Sequence, residues 1–163
     1  MTNPFEPGPS HWTGPAVDDD MVRRAEQTLG YRLPTAYVDL LRRQNGGILE
    51  DNCYPTEFPT SWAEDHFQMD VLLGIGHPEG ADAQSATLIK EWGYPPVGVV
   101  IGITASAGPD TVMLDYTDNG PTGEPSVVYV GADHVKHRVA DTFEEFIAGF
   151  VPEEEYEEDD EDE

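Results

Sequence analysis

The chain has 163 residues, which suits one domain with a sizeable core. Eight basic residues face 33 acidic ones, a formal net charge of -25. That balance argues against binding nucleic-acid phosphates or an anionic membrane directly and favours basic protein partners. Cys53 is the only cysteine, so neither a disulfide framework nor a thiolate zinc site can be built. No apolar run approaches membrane-spanning length, and Met1-Thr2-Asn3-Pro4-Phe5 lacks the basic and apolar character of a secretion leader. A cytoplasmic location is the expectation.

Residues 1–17 hold four prolines and two glycines, which exclude a helix or a central strand. The stretch reads as an irregular arm pinned by Phe5 and Trp12. Asp18 then stands as an N-cap with Asp19 and Asp20 in a first turn. Met21, Val22, Ala25 and Leu29 recur at helical spacing, and Gly30 closes the helix. A second helix starts with Pro34 at its first position. Tyr37, Leu40 and Leu41 line one face, Arg42 and Arg43 complement its C-terminal dipole, and Asn45-Gly46-Gly47 ends it. Ile48-Leu49 reads as a short strand, followed by a long loop to residue 65 broken by Pro55 and Pro59. Phe67–Leu73 is strand-like, and a third helix is expected from about Asp82 to Trp92, closed by Gly93.

The second half is β-rich. Val97–Ile103 is a nearly continuous apolar run, suited to a central strand. Thr111–Thr117 alternates, with Val112, Leu114 and Tyr116 on one face, and Asn119-Gly120 opens a turn-rich connection to a partner strand at Ser126–Val130. Thr142 and Glu145 form a capping box for a last helix whose apolar stripe is Phe143, Phe146, Ile147 and Phe150. Pro152 ends the predicted domain, 18–152. Residues 153–163 are acidic except Tyr156, and self-repulsion predicts a disordered tail.

The charge is unevenly spread. Residues 18–45 contain five acids and five arginines and sum to zero; residues 46–152 carry a net of -14, and the tail adds -10. The negative field therefore belongs to the β-rich body and the tail.

The residues Leu29-Gly30-Tyr31-Arg32-Leu33-Pro34, with Tyr37, Leu40-Leu41 and Asn45-Gly46-Gly47, resemble the opening signature of the SUKH superfamily. Further on, Gly108-Pro109-Asp110-Thr111-Val112-Met113-Leu114-Asp115 is similar to that family's glycine-Asp turn and following strand, with Pro109 where a glycine is common. The resemblance spans roughly residues 18–150. It assigns structural roles to Leu33, Pro34, Tyr37, Asn45, Gly46, Gly47 and Asp115. It implies an α+β fold: an antiparallel-rich central sheet with two N-terminal helices and one C-terminal helix packed against it. For bacterial members it implies an immunity protein that neutralises a cognate toxin, often one attacking nucleic acid, by direct binding. For members of the yeast cell-wall-regulator type it implies a regulatory scaffold.

The chemistry-bearing patterns are weak. His134 and His137 stand i, i+3 rather than the i, i+4 of a zinc-binding helix, with no third ligand set by spacing, and read as exposed loop histidines. Asp115-Tyr116-Thr117-Asp118-Asn119-Gly120 begins like a calcium loop, but Ser126 stands where the bidentate Glu is needed, so a hairpin connection is favoured. Thr104-Ala105-Ser106-Ala107-Gly108 lacks the first glycine of a nucleophile elbow. No catalytic residue, metal ligand or cofactor is therefore assigned. A hydrolase or metal-dependent enzyme is the least favoured reading.

The acidic-aromatic stretch 50–67 is the main candidate for contact with a basic partner. Glu50, Asp51, Tyr54, Glu57, Trp62, Glu64 and Asp65 are its candidate residues, with Asp115 and Asp118 added from the β-rich body. The alternative is that Tyr54, Phe58, Trp62 and Phe67 pack beneath a long loop. The acidic tail has two readings as well, a mimic of nucleic acid in a basic groove or a solubilising extension.

Overall fold

The computed structural model describes residues 3–8, 10–106 and 109–156. Most of the expected acidic tail, and residues 107–108 of the Gly108 turn and of the elbow-like segment, lie outside them. Among the described residues the chain is α+β, with a seven-stranded antiparallel sheet and four helices plus one helical turn at 154–156. None of these helices is long and apolar enough to cross a membrane.

Helix α1 (Asp19–Leu29) starts where Asp18 Oδ1 accepts the Met21 N–H at 2.9 Å and stops at Gly30, whose φ of 80° is left-handed. The loop that follows is drawn back onto the helix because Leu33 N–H donates to the Glu26 carboxylate at 2.7 Å. Helix α2 covers Thr35–Arg43. Pro34 has an extended ψ of 142°, so it caps α2 and is not the expected first helical residue. Helix α3 (Ala81–Trp92) stands within a residue of expectation, and helix α4 (Phe143–Ala148) ends two residues before Phe150, the last of its expected apolar stripe. Thr142 caps α4 by accepting the Glu145 N–H, but Glu145 reaches back to the Asp141 N–H rather than completing the box on Thr142.

The strands are β1 (Gly47–Ile48), β2 (Cys53–Pro55), β3 (His66–Leu72), β4 (Gly98–Thr104), β5 (Thr111–Asp115), β6 (Ser126–Val130) and β7 (Lys136–Ala140), in spatial order β1-β3-β4-β5-β6-β7 with β2 also on β3. Two of them depart from the sequence reading. Strand β2 was expected to be loop; it continues β1 along the same edge of β3, and Pro55 is tolerated because it sits at the strand's end. Strand β7 replaces the expected loop around His137. It is a sheet edge with no apolar run to reveal it: Lys136 and Arg138 face solvent and only Ala140 is buried. Charged edge residues of this kind discourage edge-to-edge pairing. Strand β5 stops at Asp115, earlier than expected, because the Asp115 carboxylate takes the Thr117 N–H at 2.9 Å and turns the chain. Both faces of β5 are buried, not one.

The outer edge of β1 and β2 is closed by both ends of the domain. Glu6 N–H donates to Ile48 O and Glu50 N–H to Pro4 O, while Cys53 and Val151 exchange backbone bonds. Phe5 is buried beneath the first of these joins and Trp12 packs partly against the core, as the sequence suggests. Ordered contacts run past Pro152: the Tyr156 ring stacks on His66 with centroids 3.5 Å apart.

Beneath the sheet lies an aromatic core in which Tyr37 meets Phe143, Phe67 stacks on Tyr129, and Tyr54 meets Phe67 and Phe146. The family-like residues hold this core to the helices. Leu33 and Pro34 are buried, and the Tyr37 hydroxyl donates to Leu73 O at 2.5 Å. Asn45, 3% exposed, accepts the Ile75 N–H on Oδ1 and donates through Nδ2 to Ile75 O and Pro15 O, each at 2.8 Å. Gly46 follows at a φ of 85°, so near β3's end that an added Cβ would stand 2.6 Å from Gly74 N. Replacing Asn45 with Ala strands one buried N–H and two carbonyls. Unfolding free energy in a urea titration should fall by about 3 kcal/mol, and a loss below about 1 kcal/mol would show that the side chain is dispensable.

Candidate protein-binding surface

The stretch 56–65 is a long connection between β2 and β3, and short polar residues tie it down. Thr60 Oγ1 accepts the N–H groups of Trp62 and Ala63 and donates to His66 O at 2.6 Å. Ser61 N–H donates to the Tyr129 hydroxyl at 3.0 Å, and that hydroxyl donates to Asp110 Oδ2 at 2.5 Å. Asp110 is 2% exposed and takes the Thr104 hydroxyl on its other oxygen. Burial first, then the bond to Asp110, pushes the Tyr129 hydroxyl up to about 12, so it remains a protonated donor at physiological pH. A buried carboxylate thereby fixes a surface loop through one tyrosine.

This anchoring divides the two readings of the aromatic residues. Tyr54 and Phe67 are buried, and Phe58 stacks on His137 with centroids 4.3 Å apart. Trp62 stays 47% exposed. Around it Glu57, Glu64 and Asp65 are exposed, although Asp65 contacts His66 Nδ1 at 2.8 Å. Tyr54 is therefore part of the interior and offers no surface.

Glu50 and Asp51 stand elsewhere, at the interruption between β1 and β2. With Glu144 of α4 they rim a groove of about 370 Å³, closed on one side by Asn3 and Pro4 of the arm. Ile147, Ala148 and Phe150 line it with apolar surface. Elsewhere Arg42, Arg23, Lys136 and Arg138 pair with Asp19, Asp20, Asp115, Asp118 and Asp141. Acidic rim over apolar floor is the chemistry that accepts a lysine or arginine, whose aliphatic stem packs while its head is paired. Ile147 and Phe150 pack on the core as their helical spacing predicts while their edges reach the groove; Glu144, read only as part of the last helix, is the rim acid the sequence did not single out.

Asp115 and Asp118 serve the chain's own architecture. Asp115 is 5% exposed and is held by Lys136 Nζ at 2.7 Å and by both the N–H and hydroxyl of Thr117; Asp118 pairs with Arg138. Burial alone would raise the Asp115 carboxyl, but these hydrogen bonds and the Lys136 charge outweigh it and hold it below its ordinary value. With Asn119 Nδ2 donating to Glu124 O, the calcium-like segment spends its polar groups on its own turn. His134 and His137 do not converge: the first ring lies over Gly93 and the second on Phe58.

The molecule is thus an α+β domain with a pinned acidic loop and an acidic groove on its surface. The SUKH_6 family model, SMI1-KNR4 cell-wall, matches residues 19–147, and the chain belongs to that family, within the SUKH superfamily. No curated protein and no solved structure matches the chain.

The depressed Asp115 carboxyl carries a pH signature. A lowered folded-state value contributes stability that is present above the unfolded value and is lost as pH falls through the folded one. The stability advantage of wild type over Asp115→Asn should be complete above the ordinary carboxylate range and shrink progressively as pH falls below it. An advantage unchanged across that range, followed by urea unfolding, would contradict the assignment.

Proposed function

We propose that the protein is a non-catalytic immunity protein that binds a cognate basic toxin directly, in the cytoplasm, and so keeps it from nucleic acid. The observation that carries this reading is the groove whose rim holds three exposed acids, Glu50, Asp51 and Glu144, over apolar side chains. Family membership supports it, as does the concentration of negative charge outside the α1–α2 pair. A partner that grips phosphates must carry Lys and Arg around its own site, and an acidic surface would cover that site by charge complementarity. The family description, SMI1-KNR4 cell-wall, favours a second reading, a regulatory scaffold that uses the same surface for a cellular partner.

The purified product of the neighbouring reading frame is the probe. Binding should be tight, with an association rate that falls steeply as salt rises, because long-range steering is screened beyond about 10 Å at 0.1 M salt. The triple charge reversal Glu50→Lys, Asp51→Lys, Glu144→Lys should slow association at low salt by about tenfold or more without changing the thermal midpoint by more than a few degrees. Failure of the neighbouring product to bind, together with failure of co-expression to protect cells from it, would contradict the immunity reading. Rates insensitive to the triple reversal would remove the groove from the interface.

A further inference from the structure

Trp62, Trp92 and Val135 are the large apolar side chains left exposed among the described residues, at 47%, 38% and 50%. They are remote in sequence, yet their segments meet at the turn between β6 and β7. On one flank Ala132 N–H donates to Ser61 Oγ at 2.9 Å, which sets Trp62 beside the turn. On the other flank the His134 ring lies over Gly93, where an added Cβ would come within 3.1 Å of Cε1. The end of α3, with Trp92, is therefore next to the same turn. Val135 belongs to the turn itself.

The turn is held in a costly shape. His134 has a φ of 66°, in the left-handed region that few non-glycine residues occupy. Its N–H donates to Gly131 O at 2.9 Å, and the Val135 N–H donates to Asp133 Oδ1 at 3.1 Å. The Ser61–Tyr129–Asp110 chain fixes the neighbouring loop from below. Exposed groups held rigidly lose little freedom on binding, which is the condition for an effective anchor.

Single exposed apolar residues are ordinary on a protein surface. Here three of them, two being tryptophans, gather at one end of the sheet, and tryptophan is enriched among residues that dominate binding energy. Their segments carry more exposed acids than bases: Glu57, Glu64 and Asp65 on the loop, Glu91 on α3 and Asp133 on the turn, against Lys90 and Lys136. That excess disfavours an anionic membrane and a second copy of this acidic chain, and it complements a basic protein.

We propose that Trp62, Val135 and Trp92 form the apolar anchor of the interface with the basic protein partner, with the acids of their segments meeting its Lys and Arg. The proposal rests on the reading of the protein as a binder of such a partner. A standard interface covers about 800 Å² on each side, enough to span the turn and both flanks.

The test is calorimetric titration of wild type, Trp62→Ala, Trp92→Ala and Val135→Ser with the purified product of the neighbouring reading frame. Because all three positions are exposed, circular dichroism should show unchanged thermal midpoints. The expected result is that Trp62→Ala or Val135→Ser weakens binding by about 30-fold or more, with Trp92→Ala weaker in effect. Wild-type binding that survives all three substitutions within about threefold would overturn the anchor while leaving the binding function intact. A wild type that binds nothing would overturn both.

Discussion

One amide side chain connects the parts of this domain that lie far apart in sequence. Asn45 sits where α2 ends, and its three hydrogen bonds reach Pro15 in the arm and both backbone groups of Ile75 beyond β3. Its own carbonyl accepts the Gly14 N–H. The two Ile75 groups are buried and would otherwise lack partners, which costs more than any single contact gains. The glycines around it follow from the same constraint. Gly46 and Gly74 pass so closely that neither tolerates a Cβ, and Asn45 Oδ1 would stand 2.3 Å from one at Gly74. With α2, the arm and the end of β3 clamped together, α3 can start at Ala81 and return the chain into β4.

That clamp explains why the helical half was legible in the sequence. Capping residues, the Tyr37–Leu40–Leu41 stripe and the Asn-Gly-Gly stop are local signals with local causes, and α1 to α3 fell within a residue of their expected limits. Strands β2 and β7 were not legible for an equally physical reason. Each pairs with a strand adjacent in the chain, but each lies at a margin of the sheet where apolar alternation is weak. Lys136-His137-Arg138 reads as loop until its pairing with Val130, Tyr129 and Val128 is known.

The candidate surface was half visible. Exposed acids and a tryptophan in 50–65 could be marked from composition alone. Which aromatic turns inward could not: Tyr54 and Trp62 look alike in sequence, yet the first is clamped among Phe67, Phe146 and Phe150 and the second is left in solvent. Asp115, expected both as a structural residue and as a contact, is held by Lys136, while Glu144 was carried by a short helix to the rim of a groove whose other acids come from the β1–β2 interruption. Long-range placement decides such assignments, and spacing does not report it.

The functional account rests on division of labour within one acidic chain. The arginine-bearing α1 and α2 serve the scaffold, and the β-rich side presents acids beside exposed apolar groups. Hydrogen exchange of the protein, alone and mixed with the purified product of its neighbouring reading frame, tests that division most directly. The account predicts new protection in residues 50–65, 131–135 and 143–150. Protection confined to α1 and α2, with those three segments unchanged, would contradict it.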